Sequence, residues 1–560
     1  MNLFIKKSLA LCLIIIPIVL FWYTFHKYAI NIPHWDDFAV RNSLANFLDA
    51  STFIEKIKSL FEQHNEHRIL LTRLFALIVF QLKGFLDLKA LMVIGNLGLM
   101  GILWVFYKTI LKNNLNLLAL APLSFLIFNL GLYENTFWGM ASVQNFWVIF
   151  LAFLCFYLLV YSYHKFSKSY FYLAVFICFL GTFSSSNGLL IPLIGLAILS
   201  FQRRKTELII WSIASVMIFS LYFFHYYKPL DNAAKVDLSD ISLLFKGLLA
   251  VLGNAVDVSF IAPAKHLDIA MATGVILIIF IVMFAYHVLI KKYNIDKRNN
   301  DLFLLGCLTF LGITCVGIAL GRLSYGIETL LTSKYKINSL LIIVIFYLAA
   351  LNSLAGITQK NFIIGAIVVA VVFNLYTNLS DYQNLKYLRN ERITDQFKIY
   401  HSDKDMPTKG TLAILQRPAK AFYDDIMPIL SQVRDTVKTN ITIEENEAGF
   451  ILKEDRKETK LDLNFPDAGQ YFIIKSADNI YLFPSRTVAA SKKSYLTKDF
   501  LIDNQLRLGS FVADFTKFYI QSGKYQLGKV SVEKGQSIVT WTNQTIDIQS
   551  VRKEKPKQNW

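Results

Sequence analysis

Apolar runs long enough to cross a bilayer succeed one another through the first 378 residues of this 560-residue chain. They lie near 9–25, 88–107, 115–132, 143–163, 170–186, 188–201, 207–227, 269–290, 302–320, 337–352 and 361–378. A water-soluble core has no room for so much apolar chain, and a lipid core accepts backbone only as helices or closed barrels. Continuous runs of this length predict helices. From about Leu379 the chain turns polar and charged, and no such run follows. The expected organisation is an α-helical polytopic membrane domain over 1–378 and a soluble C-terminal domain over 379–560. A hydrophobic share of 54% and a mean hydropathy of +0.44 agree with a chain that is mostly membrane.

The formal charge of +17 would suit a nucleic-acid partner. Lysine and arginine instead crowd into short loops between the runs, which is the pattern of positive-inside insertion, and no nucleic acid is expected. One more run, 69–82, is short, holds Arg73 and follows Glu66-His67-Arg68. If it crossed, Lys108, Lys112, Lys165, Lys168, Arg203, Arg204, Lys205, Lys291, Lys292, Lys297, Arg298 and Lys360 would all face away from Lys6 and Lys7. If it lies flat, all share one face. The second arrangement obeys the rule, so 69–82 is read as an amphipathic helix on the outer surface. Eleven spans remain, with a cytoplasmic N-terminus and the C-terminal domain outside. The first run has Lys6 and Lys7 before it and no small-residue cleavage pattern after it, so it is read as an uncleaved helix. Within 228–268, Leu243-Leu244-Phe245 and Leu248-Leu249 predict a second surface helix. Ser184-Ser185-Ser186-Asn187-Gly188 predicts a tight outer turn.

All five cysteines (Cys12, Cys155, Cys178, Cys307 and Cys315) lie in apolar runs, so no disulfide framework or zinc ribbon is available. The soluble domain is read as α+β, helical over 379–440, with helices at 379–400 and around 419–433, and β-rich over 449–550. Short runs such as Tyr471-Phe472-Ile473-Ile474, Tyr481-Leu482-Phe483, 525–532 and 537–541 alternate with the turn clusters Pro466-Asp467-Ala468-Gly469 and Glu533-Lys534-Gly535. That spacing predicts a β-sandwich.

With this topology the polar clusters fall on the outer face: His34-Trp35-Asp36-Asp37, His64-Asn65-Glu66-His67-Arg68, Tyr133-Glu134-Asn135, Ser184 to Asn187, and Arg322 with Ser333-Lys334-Tyr335. Each has a bland reading beside a functional one. Asp36 and Asp37 serve a helix N-cap or a catalytic acid site. His64 and His67 hold interface hydrogen bonds or a metal. Glu134 is a headgroup-level loop residue or a functional acid. Arg322, Lys334 and Lys336 meet lipid phosphates with or without specificity. Acids and bases gathered on one lipid-facing surface suit transfer from a lipid-borne phosphate. A carboxylate takes the proton of an acceptor hydroxyl, and cations hold the departing phosphate. No Gly-rich phosphate loop, GxSxG or HExxH pattern points elsewhere.

The plan resembles the GT-C superfamily of polytopic glycosyltransferases, which use polyprenyl-phosphate-linked sugars. Those enzymes carry a first span, a large outer loop with an acidic catalytic residue and juxtamembrane helices, and many end in an outer soluble domain. Trp35-Asp36-Asp37, Asn65-Glu66-His67-Arg68, Tyr133-Glu134-Asn135, Ser185-Ser186-Asn187-Gly188 and Gly321-Arg322 with Ser333-Lys334-Tyr335 are similar to motifs of a large group of bacterial membrane proteins. The last motif usually has arginine where this chain has Lys334, so the charge is kept and the bidentate fork is lost. In overall plan the chain is also similar to phage-type O-antigen glucosyltransferases.

The resemblance implies a glycosyltransferase of the bacterial inner membrane. It would move a sugar from polyprenyl phosphate to a periplasmic polysaccharide or lipid-linked glycan. Asp36 or Asp37 is the expected base, with a divalent cation such as Mg or Mn held beside Glu134. Arg68, Arg322, Lys334 and His67 are the expected phosphate holders, and Glu66, Asn135, Asn187 and Tyr335 support them. Two other readings stand beside this one: a flippase for a lipid-linked glycan, and a non-catalytic assembly protein for envelope polysaccharide.

Overall fold

Long apolar helices occupy most of the first 400 residues in the computed structural model of this chain. It describes residues 3–162, 168–227, 240–257, 263–290, 295–402, 415, 418–430, 436–460, 465–489 and 507–549. Among these residues eight helices are long and apolar enough to cross a membrane: Lys7–Tyr28, Leu88–Lys112, Gly139–Tyr161, Lys205–Phe223, Lys265–Ile290, Asn299–Tyr325, Ser333–Leu351 and Gly356–Ser402. A ninth candidate is the pair Leu117–Ile127 and Leu130–Thr136, bent by 48°. The bend has a chemical cause. Carbonyls freed at Phe125 and Phe128 accept from Asn374 Nδ2 at 2.7 and 2.8 Å, and the Leu130 amide donates to Asn378 Oδ1 at 2.8 Å. A break in a span persists where side chains satisfy the released backbone.

The expectation of eleven spans is corrected at two places. Lys168–Thr182 and Ser186–Phe201 are apolar but shorter than a bilayer requires. The turn between them is tight: a Cβ on Gly188 would lie 2.1 Å from the Gly181 carbonyl oxygen. The loop lysines Lys165, Lys291 and Lys292 lie outside the described residues.

The run at 69–82 forms a helix, Leu70–Lys83, closed by Gly84 in the left-handed region at φ +72°. It buries Leu70, Leu71, Ala76 and Val79 and exposes Ile78 and Leu82. Arg73 faces the buried side, where Nε donates to Ser43 Oγ at 3.0 Å and Nη1 donates to the Leu60 and Glu62 carbonyls. The second expected surface helix appears as Ile241–Gly253, but its C-terminal half is buried.

Leu88–Lys112 and Gly139–Tyr161 pack closely because glycine lies at their contact. A Cβ on Gly95 would sit 2.1 Å from Ser142 Oγ, and one on Gly98 3.0 Å from Phe146 Cβ. Small residues let apolar helices approach where lipid gives no hydrophobic advantage to association.

The chain divides into two units. The first comprises Met1–Phe25 and Ala39–Asp381, the second His26–Phe38 and Tyr382–Trp560. The expected break near residue 379 lies inside a single 42-residue helix, Gly356–Phe397. The other expected helix, around 419–433, is one described turn, Met427–Leu430, and residues 431–433 lie outside the described set.

In the first unit two short strands, β1 (Gln63–His64) and β2 (His67–Arg68), form a hairpin. In the second unit the strands are β3 (Thr436–Val437), β4 (Ile441–Glu445), β5 (Gly449–Lys460), β6 (Gly469–Lys475), β7 (Ile480–Pro484), β8 (Arg486–Ala489), β9 (Arg507–Thr516), β10 (Gly523–Glu533) and β11 (Gln536–Ile548). They make a five-stranded sheet in the order β3-β11-β10-β6-β7 and a four-stranded sheet in the order β4-β5-β9-β8.

Side chains alternate along a strand, so one sheet can serve two cores. On β6, Phe472 and Ile474 join Leu452, Ala513 and Phe515 of the four-stranded sheet in one apolar cluster. Tyr471 and Ile473 point the other way and pack with Trp541, Phe397, Ile393, Tyr423 and Ile32. Ile32 comes from the segment 26–38, which therefore belongs to the fold of the second unit. Arg389 holds the same segment by donating Nη1 to the Tyr28 carbonyl at 3.0 Å while Nε pairs with Asp467 at 2.6 Å.

Candidate functional site

The polar clusters of the first unit meet at one end of its helices. The centre is the hairpin β1–β2. Its turn needs a left-handed residue, and Asn65 supplies it at φ +48°. The turn presents Glu66. Its Oε1 lies 3.1 Å from Arg322 Nη2 and 3.5 Å from His67 Nε2. Its carbonyl accepts from the hydroxyls of Tyr222 and Tyr226 at 3.3 and 3.4 Å. Burial works against the charge of Glu66. His67, its own backbone amide, Arg322 and His64 outweigh that and hold the carboxyl below the usual range. Burial, with Glu66 nearby, raises the Tyr226 phenol against the opposing pull of Arg68.

His67 is held in one tautomer. The Ser186 amide donates to Nδ1 at 3.1 Å, so that nitrogen presents a lone pair and the ring proton sits on Nε2, facing Glu66. The serine-rich turn thus serves the hairpin directly. Nearby, Gln144 Nε2 donates to Ser185 Oγ at 3.2 Å and Asn187 Nδ2 to Thr314 Oγ1 at 3.4 Å. Asn187 Oδ1 is buried with no hydrogen-bond partner among the described residues.

Arg68 stands apart from its expected role. It is buried, and its guanidinium donates to the backbone carbonyls of Phe61, Tyr222 and Phe224. Burial pushes the guanidinium down, against Tyr222 and Tyr226. Arg68 fastens the hairpin to the end of Lys205–Phe223, and those donors are spent on backbone. Arg322 is the open cation: its side chain is 37% exposed, and it touches Glu66 and Tyr335.

The first turn of Ser333–Leu351 gathers five neighbours. Ser333 Oγ donates to the Gly131 carbonyl at 2.7 Å. The Lys334 amide donates to Glu134 Oε2 at 2.8 Å, and its carbonyl accepts from Asn135 Nδ2 at 2.7 Å. Asn145 Nδ2 donates in turn to Asn135 Oδ1 at 2.8 Å. Tyr335 hydrogen-bonds Arg322, and Lys334 Nζ lies 5.1 Å from the Tyr335 ring centre. Lys336, buried, donates Nζ to the Asp257 carbonyl at 2.7 Å. Glu134 therefore places its carboxylate at a helix N-terminus, where amides and dipole favour a negative charge. Among the described residues no three His, Cys, Asp or Glu side chains gather to hold a metal ion.

Asp36 and Asp37 belong to the second unit, on the segment entering helix Asp37–Asp49. Asp37 is fully buried, and its Oδ2 accepts the His34 amide at 3.1 Å. With the Asp37 amide donating to the His34 carbonyl at 2.9 Å, this bond closes a turn over residues 34–37. Asp36 is half-buried, and Trp35 before it has φ +42°. His34 Nδ1 lies 3.9 Å from Asp395 Oδ2.

Sequence reading missed the pair Asp257–His266, whose side chains hydrogen-bond each other, and the tyrosines at 222 and 226. The i, i+4 spacing of the tyrosines at the end of an apolar run was an available signal. The spacing of Asp257 and His266 carried none. Comparison with protein-family models, curated proteins and solved structures finds no match to this chain.

Proposed function

We propose that this chain is a multi-pass glycosyltransferase of a bacterial inner membrane, transferring a sugar from polyprenyl phosphate to a periplasmic glycan. The observation that carries the reading is the Glu66–Arg322 pair, flanked by His67 and Tyr335, at one end of an apolar helical bundle. A half-exposed arginine at a bilayer surface suits a lipid phosphate, because its planar fork matches phosphate oxygens. Glu66 keeps that fork oriented between donors. Lys334 adds a second cation at the adjacent helix start.

Asp36, half-buried beside the fully buried Asp37, is the proposed base for the acceptor hydroxyl. The proposed inside-positive topology needs an odd number of spans, and counting the bent pair as one span among the described residues gives nine, with Lys168–Thr182 and Ser186–Phe201 taken as a hairpin that leaves by the face it entered.

The test is transfer in proteoliposomes from a panel of labelled polyprenyl-phosphate hexoses to envelope glycan. The wild-type chain is expected to transfer at least one. Arg322→Ala is expected to lower turnover about 100-fold. No transfer from any hexose, or full activity in the variant, overturns the reading. The bent pair Leu117–Ile127 and Leu130–Thr136 favours a second reading, because flippases and transporters use broken helices. Movement of labelled lipid between leaflets without sugar transfer would establish it.

A further inference from the structure

The side chains of Asp257 and His266 form a cluster apart from the hairpin and helix-start side-chain contacts described above. Asp257 follows the short turn Asn254–Val256, and His266 lies in the first turn of Pro263–Ile290. Asp257 Oδ1 and His266 Nδ1 share a hydrogen bond, and the two side chains are 17% and 18% exposed. The backbone before Asp257 is tightly fixed. Asn254 Nδ2 donates to the carbonyls of Leu330 and Thr332 at 3.2 and 3.0 Å, the Ala255 amide to Ser339 Oγ at 3.0 Å, and Lys336 Nζ to the Asp257 carbonyl at 2.7 Å. None of these bonds uses the Asp257 carboxylate, which is directed at the imidazole. Lys336 follows Tyr335, the residue that touches Arg322. The pair and the Glu66–Arg322 centre therefore meet the same helical turn.

A carboxylate on one imidazole nitrogen sets the tautomer and stabilises the charged ring, leaving the far nitrogen to move the proton. The polyprenyl-phosphate reaction needs such a group. Cleavage of the sugar C1–O bond leaves an electron pair on a phosphate oxygen, and a positioned acid eases that departure.

We propose that Asp257 and His266 form the proton-donating pair of this site, a deepening that rests on the glycosyltransferase reading. The acceptor oxygen bonds to C1 as its proton passes to a base. The C1–O bond to phosphate breaks, and the phosphate oxygen takes the proton from His266 Nε2. Asp257 then holds the neutral imidazole in place until solvent restores its proton. The charged groups on the elements around His266 are Lys265 and Asp268 on its own helix, Lys246 on Ile241–Gly253, Asp296, Lys297, Arg298, Asp301 and Arg322 on Ile295–Arg322, and Lys334 with Lys336 on Ser333–Leu351.

The experiment compares the full-length wild type, His266→Gln and Asp257→Asn in proteoliposomes. Two donors are used, a polyprenyl-phosphate hexose and the same hexose as its glycosyl fluoride, whose leaving group needs no strong acid. With the lipid donor His266→Gln is expected to lose at least about 100-fold in kcat while KM stays within a few-fold. Asp257→Asn should lose less. With the fluoride both variants should approach wild-type turnover. Equal losses on the two donors, or a rise in KM with kcat kept, overturn the pair as a proton donor and leave the glycosyltransferase reading standing. A wild type that transfers from neither donor overturns both. A glutamine variant with wild-type melting and no loss on the lipid donor overturns the pair alone.

Discussion

Two acid-bearing turns of this molecule share a backbone device and differ in what they do with it. In the hairpin β1–β2 and in the segment before helix Asp37–Asp49, a non-glycine residue in the left-handed region immediately precedes an acid: Asn65 before Glu66, and Trp35 before Asp36. Asparagine enters that region at little cost, whereas an indole-bearing residue is forced there. The hairpin is over-determined. Arg68 gives its guanidinium to three carbonyls, the Ser186 amide fixes the His67 tautomer, and two tyrosine hydroxyls meet the Glu66 carbonyl. The contacts of the other turn include the His34–Asp37 backbone bonds, the stacking of His34 on Trp35 with ring centres 5.3 Å apart, and His34 Nδ1 at 3.9 Å from Asp395. One turn is a platform built by neighbours. The other holds a strained residue beside a half-buried acid, and strain retained in a fold is a pointer to function.

The largest expected effect breaks the platform. Arg68→Met removes the donors of three backbone carbonyls in a buried setting. It is expected to cost about 3 kcal/mol or more. Thermal unfolding in detergent measures it, and a variant melting with the wild type would mean that the hairpin stands without Arg68. The next effect separates the two aspartates. Asp36→Asn is expected to lower sugar transfer about 100-fold with melting unchanged. Asp37→Ala removes the acceptor of the His34 amide and is expected to cost about 1 kcal/mol of stability. The reverse pattern, with Asp37 controlling turnover and Asp36 controlling melting, would exchange their roles.

The parts of this fold that follow from local pattern were legible, and those that follow from tertiary contact were not. Long apolar runs gave helices, and the β-rich tail was visible in its alternating apolar segments. The break near Asn129 was hidden, because the side chains that make it tolerable, Asn374 and Asn378, are nearly 250 residues away. The unit boundary was hidden for a related reason. Helix Gly356–Phe397 runs unbroken from apolar to polar sequence, and 26–38 joins the second unit through Ile32 and Tyr28.

At the candidate site the residue types were readable but their allegiances were not. Arg68 and Arg322 look alike in sequence, yet one feeds backbone carbonyls and the other faces a carboxylate. Glu134 reads as a loop acid until Lys334, 200 positions later, begins its helix beside it.

A smaller effect tests the charge of Glu66. Its carboxyl is held below the value of about 4.5 that it has when unperturbed, so its contribution to stability is full at neutral pH. That contribution is lost as the pH falls through 4.5 and below. The wild type should lose more melting temperature between pH 6 and pH 4 than Glu66→Gln does. Raising the salt at pH 6 should narrow the gap, because the pair is partly exposed and screened. Parallel pH curves would show that Glu66 is not held by its neighbours.

The smallest effect measures the strain itself. Replacing Trp35 with alanine removes the ring and keeps the Cβ that makes φ +42° costly; glycine removes both. The difference between the two variants isolates the backbone, since each loses the same stacking on His34. Glycine should be more stable than alanine at position 35 by about 1 kcal/mol, even though it loses more chain entropy on folding. At Asn65 the same exchange starts from a residue that already tolerates the region, so Asn65→Gly should lie within about 0.5 kcal/mol of the wild type. Thermal melts of the three variants and the wild type give both differences. If alanine matched glycine at 35, the turn before Asp36 would carry no stored strain. The likeness between the two acid-bearing turns would then be one of dihedral angle alone, and the argument that Trp35 is kept there for the sake of Asp36 would fall with it.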